Sequence, residues 1–350
     1  MSLTSFSEAV IDTFERLQKW NGPIPGFFRF MTLMAFDQMI RAYRKGVLDV
    51  AILEVGMGGL YDATNVIEDP QVTAIASIAM EHVKSLGPTM GDIAFHKAGI
   101  AKKNVPLISV PQPVEAVEVI AKTAGSVGAK LEFVESLSQE LPNSLNINLD
   151  GSHQYINAAL AVRIVRRWWE GNGTQHNTQE DVIAAALRNT FWPGRHQVYH
   201  TGNCSWYLDG AHTVESIKYS LKWFRSHRSR LRKSILAFHV SHDRPFDKLL
   251  EPILLVRDLF DEVYFVKPTS PMDTIEQQND MLLHEQMVDY WKRLTGQTAT
   301  PITTTAFCGT IQSAQILVVG SLYLVGDVMR ILNAPVFSGR GDENIESSRI

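Results

Sequence analysis

No Gly-Lys dipeptide occurs anywhere in the 350 residues, so the sequence contains no G-x-x-x-x-G-K-[ST] phosphate-binding loop. Cysteine is nearly missing too: Cys204 and Cys308 are the whole supply. That excludes a disulfide framework and a cysteine-based zinc site, and it points to a reducing compartment. No apolar run approaches the roughly 18 residues that span a bilayer. Basic excess is absent as well, the net charge being -4, which argues against nucleic acid and membrane surfaces as partners and leaves small, anionic ligands open. The first ten residues hold an acidic side chain, no arginine and no signal-peptide core. A cytoplasmic protein is expected, with a mitochondrial form carrying an upstream targeting segment as the alternative.

What is present is a chain long enough for two domains, 45% hydrophobic and 20% charged. Residues 7–20 carry Val10, Ile11, Phe14 and Leu17 at helical spacing. After the Pro23, Pro25, Gly26 break, residues 27–43 form a second helix so apolar that burial is expected. Short β-branched runs follow at 49–55, 72–78 and 105–110, alternating with helical stretches such as 113–124. This is the rhythm of a mainly parallel sheet covered by helices. A further short strand is expected at 145–149 and helices at 153–169 and 179–189. Trp192, Pro193 and Gly194 punctuate the pattern near residue 190, and a second βα series begins, with strands at 205–208, 234–240, 262–267 and 316–320. The expected domains are 1–190 and 191–337, with 171–177 a surface loop and 338–350 a polar tail.

The chemistry concentrates in a few blocks. Glu54 ends the apolar run 47–53 and opens the glycine turn 56–59, at the carboxyl end of a strand where open α/β sheets bind ligands. Its carboxylate suits Mg²⁺, which prefers oxygen and bridges to phosphates; the competing reading is a strand-end carboxylate satisfied by the turn's own amides. Gly56, Gly58 and Gly59 do not complete G-x-G-x-x-G because residue 61 is tyrosine, so a dinucleotide-binding oxidoreductase has no fingerprint here. Glu81 and His82 leave the next strand, and the pairing with Glu54 weighs against His82 being a packed hydrogen-bonder alone. Lys97 stands among apolar neighbours in 95–100. Such surroundings disfavour an ammonium and allow reaction with CO₂ to a metal-ligating carbamate, although a packed stem with its head in water is the simpler reading. In the second half Arg195 sits in a Trp-Pro-Gly-Arg-His-Gln turn suited to phosphate. Asp209 follows a strand, and His212 precedes a helix. Separately each suits a linker ion pair or a cap; flanking the domain junction, they look like half of an interdomain site.

These blocks, in this order, resemble the folylpolyglutamate synthases of the Mur ligase superfamily. The resemblance rests on 27–36, Glu54-Val-Gly-Met-Gly-Gly-Leu-Tyr-Asp-Ala-Thr-Asn65, Glu81-His-Val-Lys-Ser-Leu-Gly87 and Lys97-Ala-Gly-Ile100. It continues through 151–160, Trp192-Pro-Gly-Arg-His-Gln197, Leu208-Asp-Gly-Ala-His-Thr213 and 320–325. It implies an α/β fold: a Mur-ligase-like central parallel-sheet domain, incomplete at its N-terminus, plus a smaller Rossmann-like C-terminal domain. The implied activity is ATP-dependent addition of γ-linked glutamate to tetrahydrofolate and its polyglutamates through an acyl phosphate, with ATP, Mg²⁺ and L-glutamate, and in addition a monovalent cation such as K⁺. By position it makes Glu54, His82 and a carbamylated Lys97 metal ligands. Asn157, Arg195 and Asp209 become ATP contacts, His212 and Ser321 glutamate contacts, and Lys97 and His212 the catalytic residues.

Three departures stand out. The chain begins past the family's phosphate-loop strand, so the alternative is an inactive member acting at most as a binding module. Its missing strand is expected to leave an open edge beside 49–55 and to make the chain aggregation-prone or dependent on a partner. Residues 240–245 keep an Asp-Arg pair in changed surroundings, and Glu81 stands where the family usually has aspartate.

Overall fold

A computed structural model describes residues 3–20, 22–141, 146–173, 180–240, 244–269 and 274–336, side chains at 3 and 274–281 excepted. The chain divides into two compact units, Met1–Phe133 and Val134–Ile350. In the first, helices α1 (Leu3–Gln18) and α2 (Phe27–Arg44) pair. Asp37 accepts from Arg16 and Arg41, and Arg41 also reaches Asp12.

The expected burial of α2 does not hold. Only Met34 is buried, while Phe27 is 81% exposed and Phe28, Leu33, Ile40 and Tyr43 are also open. The helix has apolar residues all round, and its main neighbours, α1 and a 3-10 turn at Ala63–Val66, cover one stripe of it. The expected strand at 49–55 does not form either. A strand exists only where a partner takes its N–H and C=O groups, and among the described residues this segment pairs with none; Ile52 is 89% exposed.

The unit's sheet is therefore β1 (Thr73–Ile75), β2 and β3 in that order, all parallel. Between β1 and β2 (Pro106–Ser109) lie α3 (Val83–Leu86) and α4 (Met90–Ala98), the latter started by a reciprocal Thr89–Asp92 capping box. α5 (Val114–Val127) leads through Gly128, at φ 75, into β3 (Lys130–Phe133). Ala94 and Ala98 of α4 and Ala116, Ile120 and Ala124 of α5 pack with Ile75 and Leu107 in one core.

The second unit opens with α6 (Leu137–Glu140), α7 (Ser152–Gly171) and α8 (Glu180–Asn189). The carboxylate of Glu140 is buried and forms ion pairs with Arg163 at 2.6 Å and Arg166 at 3.4 Å. The expected strand at 145–149 is absent over 146–149, and residue 145 lies outside the described residues. So do 174–177 of the expected loop, 241–243 of the altered turn and the expected tail 338–350.

Next come β4 (Gln197–Thr201), β5 (Asn203–Leu208), α9 (Val214–His227), β6 (Ser234–Phe238) and α10 (Phe246–Leu254). The chain continues with β7 (Glu262–Lys267), α11 (Thr274–Thr295), β8 (Thr300–Thr303), α12 (Thr304–Thr310), β9 (Ser313–Val319) and α13 (Leu322–Leu332). The six strands run β4-β5-β9-β6-β7-β8, parallel except for the β4–β5 hairpin.

Strand periodicity explains why both faces are closed. On β5, β6 and β9, Tyr207, Leu236, Phe238, Leu317 and Val319 point to a core shared with α9, α10 and α11. The alternate residues Trp206, Leu208, Ile235, Ala237, Ile316 and Val318 point to a second core with α12 and α13. The compact division at 133/134 differs from the expected one near 190, since α7 and α8 belong to the second unit. Asp150, just before α7, accepts from the Trp223 indole on α9 at 2.9 Å, and the same oxygen lies 2.9 Å from His227 Nε2.

Candidate functional site

In the first unit the glycine turn after Glu54 is a pinned structure. Gly58 at φ 70 and Gly59 at φ 156 bring it onto the end of α4, where Leu60 N–H donates to His96 O at 2.8 Å. A Cβ on Gly59 would lie 2.8 Å from that same carbonyl, so no larger residue fits. The turn's amides go to Asp62, not to Glu54: Gly56 and Met57 donate to Oδ2, and Thr64 N–H and Oγ1 donate to Oδ1. Burial opposes ionisation there, but the hydrogen bonds from Thr64, Met57 and Gly56 outweigh it and hold the Asp62 carboxyl below its usual range.

Glu54 and His82 are both exposed, His82 in a left-handed conformation at φ 53 at the start of α3. Lys97 lies half-buried on α4 with Nζ 3.4 Å from Glu81 Oε1. Among the described residues no group of three or more His, Cys, Asp or Glu side chains is gathered to hold a metal. An open carboxylate on a rigid turn still fits Mg²⁺, which takes one or two protein carboxylates and fills its other positions with water and phosphate oxygens.

In the second unit the carboxyl edge of the sheet gathers more. Asp209 is buried, 5% exposed, just past β5. Its Oδ1 accepts from Ala211 N–H at 3.1 Å and its Oδ2 from Ser220 Oγ at 2.7 Å. Gly210 N–H donates to Gly194 O at 2.8 Å, which joins the Asp209 turn to the Arg195 turn. Arg195 lies over this junction: a Cβ on Gly210 would come 2.4 Å from its Nη1. Gln197 Oε1 accepts from Gly194 N–H at 2.9 Å and fixes the other side of the same turn.

His212 sits one residue before the α9 cap. Its Nδ1 lies 2.7 Å from Gly210 O, its N–H donates to Ser216 Oγ at 3.1 Å, and its carbonyl accepts from Arg244 at 2.8 Å. Ser321 caps α13 by accepting from Tyr323 N–H at 3.1 Å, and Gly320 N–H donates to Ala211 O at 2.8 Å. Arg195, Asp209, His212 and Ser321 are thus brought together. Asn157, exposed on the first half of α7, donates to Gln154 Oε1 at 3.1 Å.

Sequence reasoning passed over an aromatic cluster behind this edge, built on the buried His196 and Trp223. His196 Nδ1 lies 2.7 Å from Asp150 O, and its ring stacks on Trp223 at 4.4 Å. His153 meets His196 edge-on at 5.0 Å and Tyr219 at 4.8 Å. Burial, and to a smaller extent the charge of His196, push His153 down to about 4. One signal was available: Ser216, Ser220, Trp223 and His227 recur at helical spacing and mark a polar face of α9.

The fold is that of a two-unit α/β protein: a parallel-sheet unit followed by a Rossmann-like one with polar residues gathered at its strand ends. The profile described as "Dihydrofolate synthetase, C-terminal domain" matches residues 195–331. The chain is 34% identical over 317 residues to the mitochondrial folylpolyglutamate synthase of Bos taurus, covering 79% of this chain and 53% of that protein. It is 30% identical to a probable folylpolyglutamate synthase of Schizosaccharomyces pombe, covering 95% of this chain and 72% of the relative. The chain belongs to the folylpolyglutamate synthase family. The folylpolyglutamate synthase of Mycobacterium tuberculosis, solved in complex with ADP and AMPPCP, has the same fold, with a TM-score of 0.72 at 22% identity over 94% of this chain and 79% of that one. The chain spans about half the length of the bovine relative.

Proposed function

We propose that the chain serves the ATP-dependent addition of γ-linked L-glutamate to tetrahydrofolate and its polyglutamates, through an acyl phosphate. The observation that carries this is the convergence of Arg195, Asp209, His212 and Ser321 at one sheet edge, held by the Gly194–Gly210 and Gly320–Ala211 backbone bonds. In this reading the Arg195 guanidinium takes phosphate oxygens with its planar fork, and Asp209 and Asn157 complete the ATP contacts. His212 and Ser321 receive the incoming glutamate, His212 orienting its amine toward the activated carboxyl carbon. On the first unit Glu54 and His82 would hold Mg²⁺, and Lys97, once freed from Glu81, would join them as a carbamate formed by its neutral amine taking up CO₂ with loss of a proton. Mg²⁺, when bound, neutralises charge on phosphoryl oxygens; K⁺ is the further cation of the proposal.

The proposal keeps the functional division near residue 190. The profile match starting at 195 and the second sheet starting at Gln197 support it. It also places the protein in the cytoplasm. Among the described residues no helix is long and apolar enough to cross a membrane; the bovine relative, by its name a mitochondrial protein, favours the alternative of a mitochondrial form.

The test is ATP binding by calorimetry together with ATP- and folate-dependent incorporation of labelled glutamate. Arg195→Ala removes charge-assisted hydrogen bonds to phosphate, and we expect ATP affinity to fall on the order of tenfold to a hundredfold. Unchanged affinity and rate in that variant refute the assignment. Retained ATP or folate binding with no ligation would instead identify a binding module.

A further inference from the structure

We propose that His196 is a positioning residue that fixes Arg195 and Asp209 relative to each other; this rests on the reading that those two side chains contact ATP. His196 occupies the position between the Arg195 turn and β4, with φ at 45. That left-handed conformation is disfavoured for any residue with a Cβ, so surrounding contacts must hold it.

Four contacts do so. The imidazole Nδ1 lies 2.7 Å from Asp150 O, and Nε2 lies 2.8 Å from Asp209 Oδ2. One flat side of the ring stacks on Trp223, the two planes differing by only 3°, and the His153 ring closes in edge-on. The Nε2 contact is short but lies off the donor direction, and Nε2 makes no regular hydrogen bond within the described residues. Gly151 permits the arrangement: its φ is 105, and a Cβ there would sit 2.7 Å from the His196 ring.

The consequence follows from chain order. Arg195 and His196 are neighbours in one turn, while Asp209 and Gly210 are neighbours in another. Gly194 O accepts from Gly210 N–H, Arg195 lies over Gly210, and His196 touches Asp209. The two turns are thus clamped at three points, of which only the His196 contact is made between side chains alone. Ser220 and Ala211 hold the Asp209 carboxylate from its other sides. The same ring reaches Asp150, at the entrance to the helix that carries Asn157. One imidazole therefore ties together the three segments proposed to meet the nucleotide.

Two variants of the whole chain separate this role from simple packing. His196→Ala removes every contact; His196→Gln keeps a polar side chain of similar reach that can still contact Asp209 and the Asp150 carbonyl but lacks the ring. With ATP as the probe, we expect His196→Ala to weaken binding on the order of tenfold, as loss of an orienting partner does elsewhere, and His196→Gln to recover most of it. Crystal structures of the two variants give a readout independent of nucleotide. In His196→Ala, Arg195 should leave Gly210 and the Gly194–Gly210 bond should lengthen; in His196→Gln both should stay. Arg195 and Asp209 keeping their places in His196→Ala overturns the proposal, as does equal weakening in both variants. If those residues move as expected while Arg195→Ala binds ATP normally, His196 keeps its role and the nucleotide reading of the edge falls.

Discussion

Acid should destabilise this protein through His153 over a defined interval. In the unfolded chain the imidazole titrates near 6.5, whereas in the folded state it is pushed down to about 4 by burial and the neighbouring His196. Between those two values the unfolded state binds a proton that the folded state refuses, so stability falls as pH drops from about 6.5 to about 4 and is insensitive to His153 above that window. The full difference, at about 1.4 kcal/mol per pH unit, is roughly 3 kcal/mol; partial solvent access to the ring reduces this to about 1 to 2 kcal/mol. For a unit of this size that is roughly 2 to 8 °C in melting temperature. Carboxylates such as Asp62 and Asp327, whose folded forms are favoured by hydrogen bonds in spite of burial, also lose stability on acidification. The assay must therefore be a difference. Thermal melts of the protein and of His153→Phe, which keeps a ring against Tyr219 and His196 but cannot titrate, are compared at steps from pH 7.5 to 4.5. The gap between the two curves should shift in favour of the phenylalanine variant below pH 6.5. A gap constant across the whole range would refute the reasoning.

Two further outcomes follow from the backbone and the surface. Gly320→Ala places a Cβ 2.2 Å from the His239 carbonyl oxygen at a φ of 104, so a loss of about 2 kcal/mol or more is expected; an unchanged denaturant midpoint would contradict this close approach. The exposed apolar side chains of α2, among them Phe27, Phe28, Leu33 and Ile40, together with exposed Val50 and Ile52, should bind a hydrophobic dye and promote self-association. Replacing Phe27 and Ile52 by serine should reduce both, and a cooperative monomeric melt with no dye binding would count against exposed apolar surface.

The second sheet was legible because its central strands are continuous apolar runs. β6, β7 and β9 are short, bounded by turn residues and apolar at successive positions, which is the pattern a strand needs when helices cover both of its faces. β8 was not legible. Its Thr-Pro-Ile-Thr sequence is short and polar, and only pairing with β7 makes it a strand. The run 49–55 shows the opposite failure. It has the composition of a buried strand, but composition cannot supply a partner, and the segment stays unpaired. For the site, Arg195, Asp209 and His212 could each be picked out by residue type beside a strand end or turn, and Ser321 only through the family resemblance. The contacts of His196 with Asp209 and Asp150 could not, because they depend on where two turns and a helix entrance meet in space.

The hairpin at the edge of the second sheet explains why those turns meet. Ligand-facing groups of a parallel sheet come from the carboxyl ends of its strands, as Asp209 and Gly320 do from the adjacent strands β5 and β9. Arg195 and His196 instead precede their strand and would be misplaced if β4 ran parallel to its neighbour. β4 is antiparallel, and its first residue, Gln197, pairs with Leu208, the last of β5. The start of one strand is thereby laid beside the end of the other, and Arg195 and His196 arrive next to Asp209. Had β4 run parallel in the same position, its start would face the far end of β5, four residue steps of about 3.4 Å away, roughly 14 Å. No side chain of the Arg195 turn could then reach Asp209, so the one reversed strand in the sheet is what allows a turn preceding a strand to share an edge with turns that follow strands.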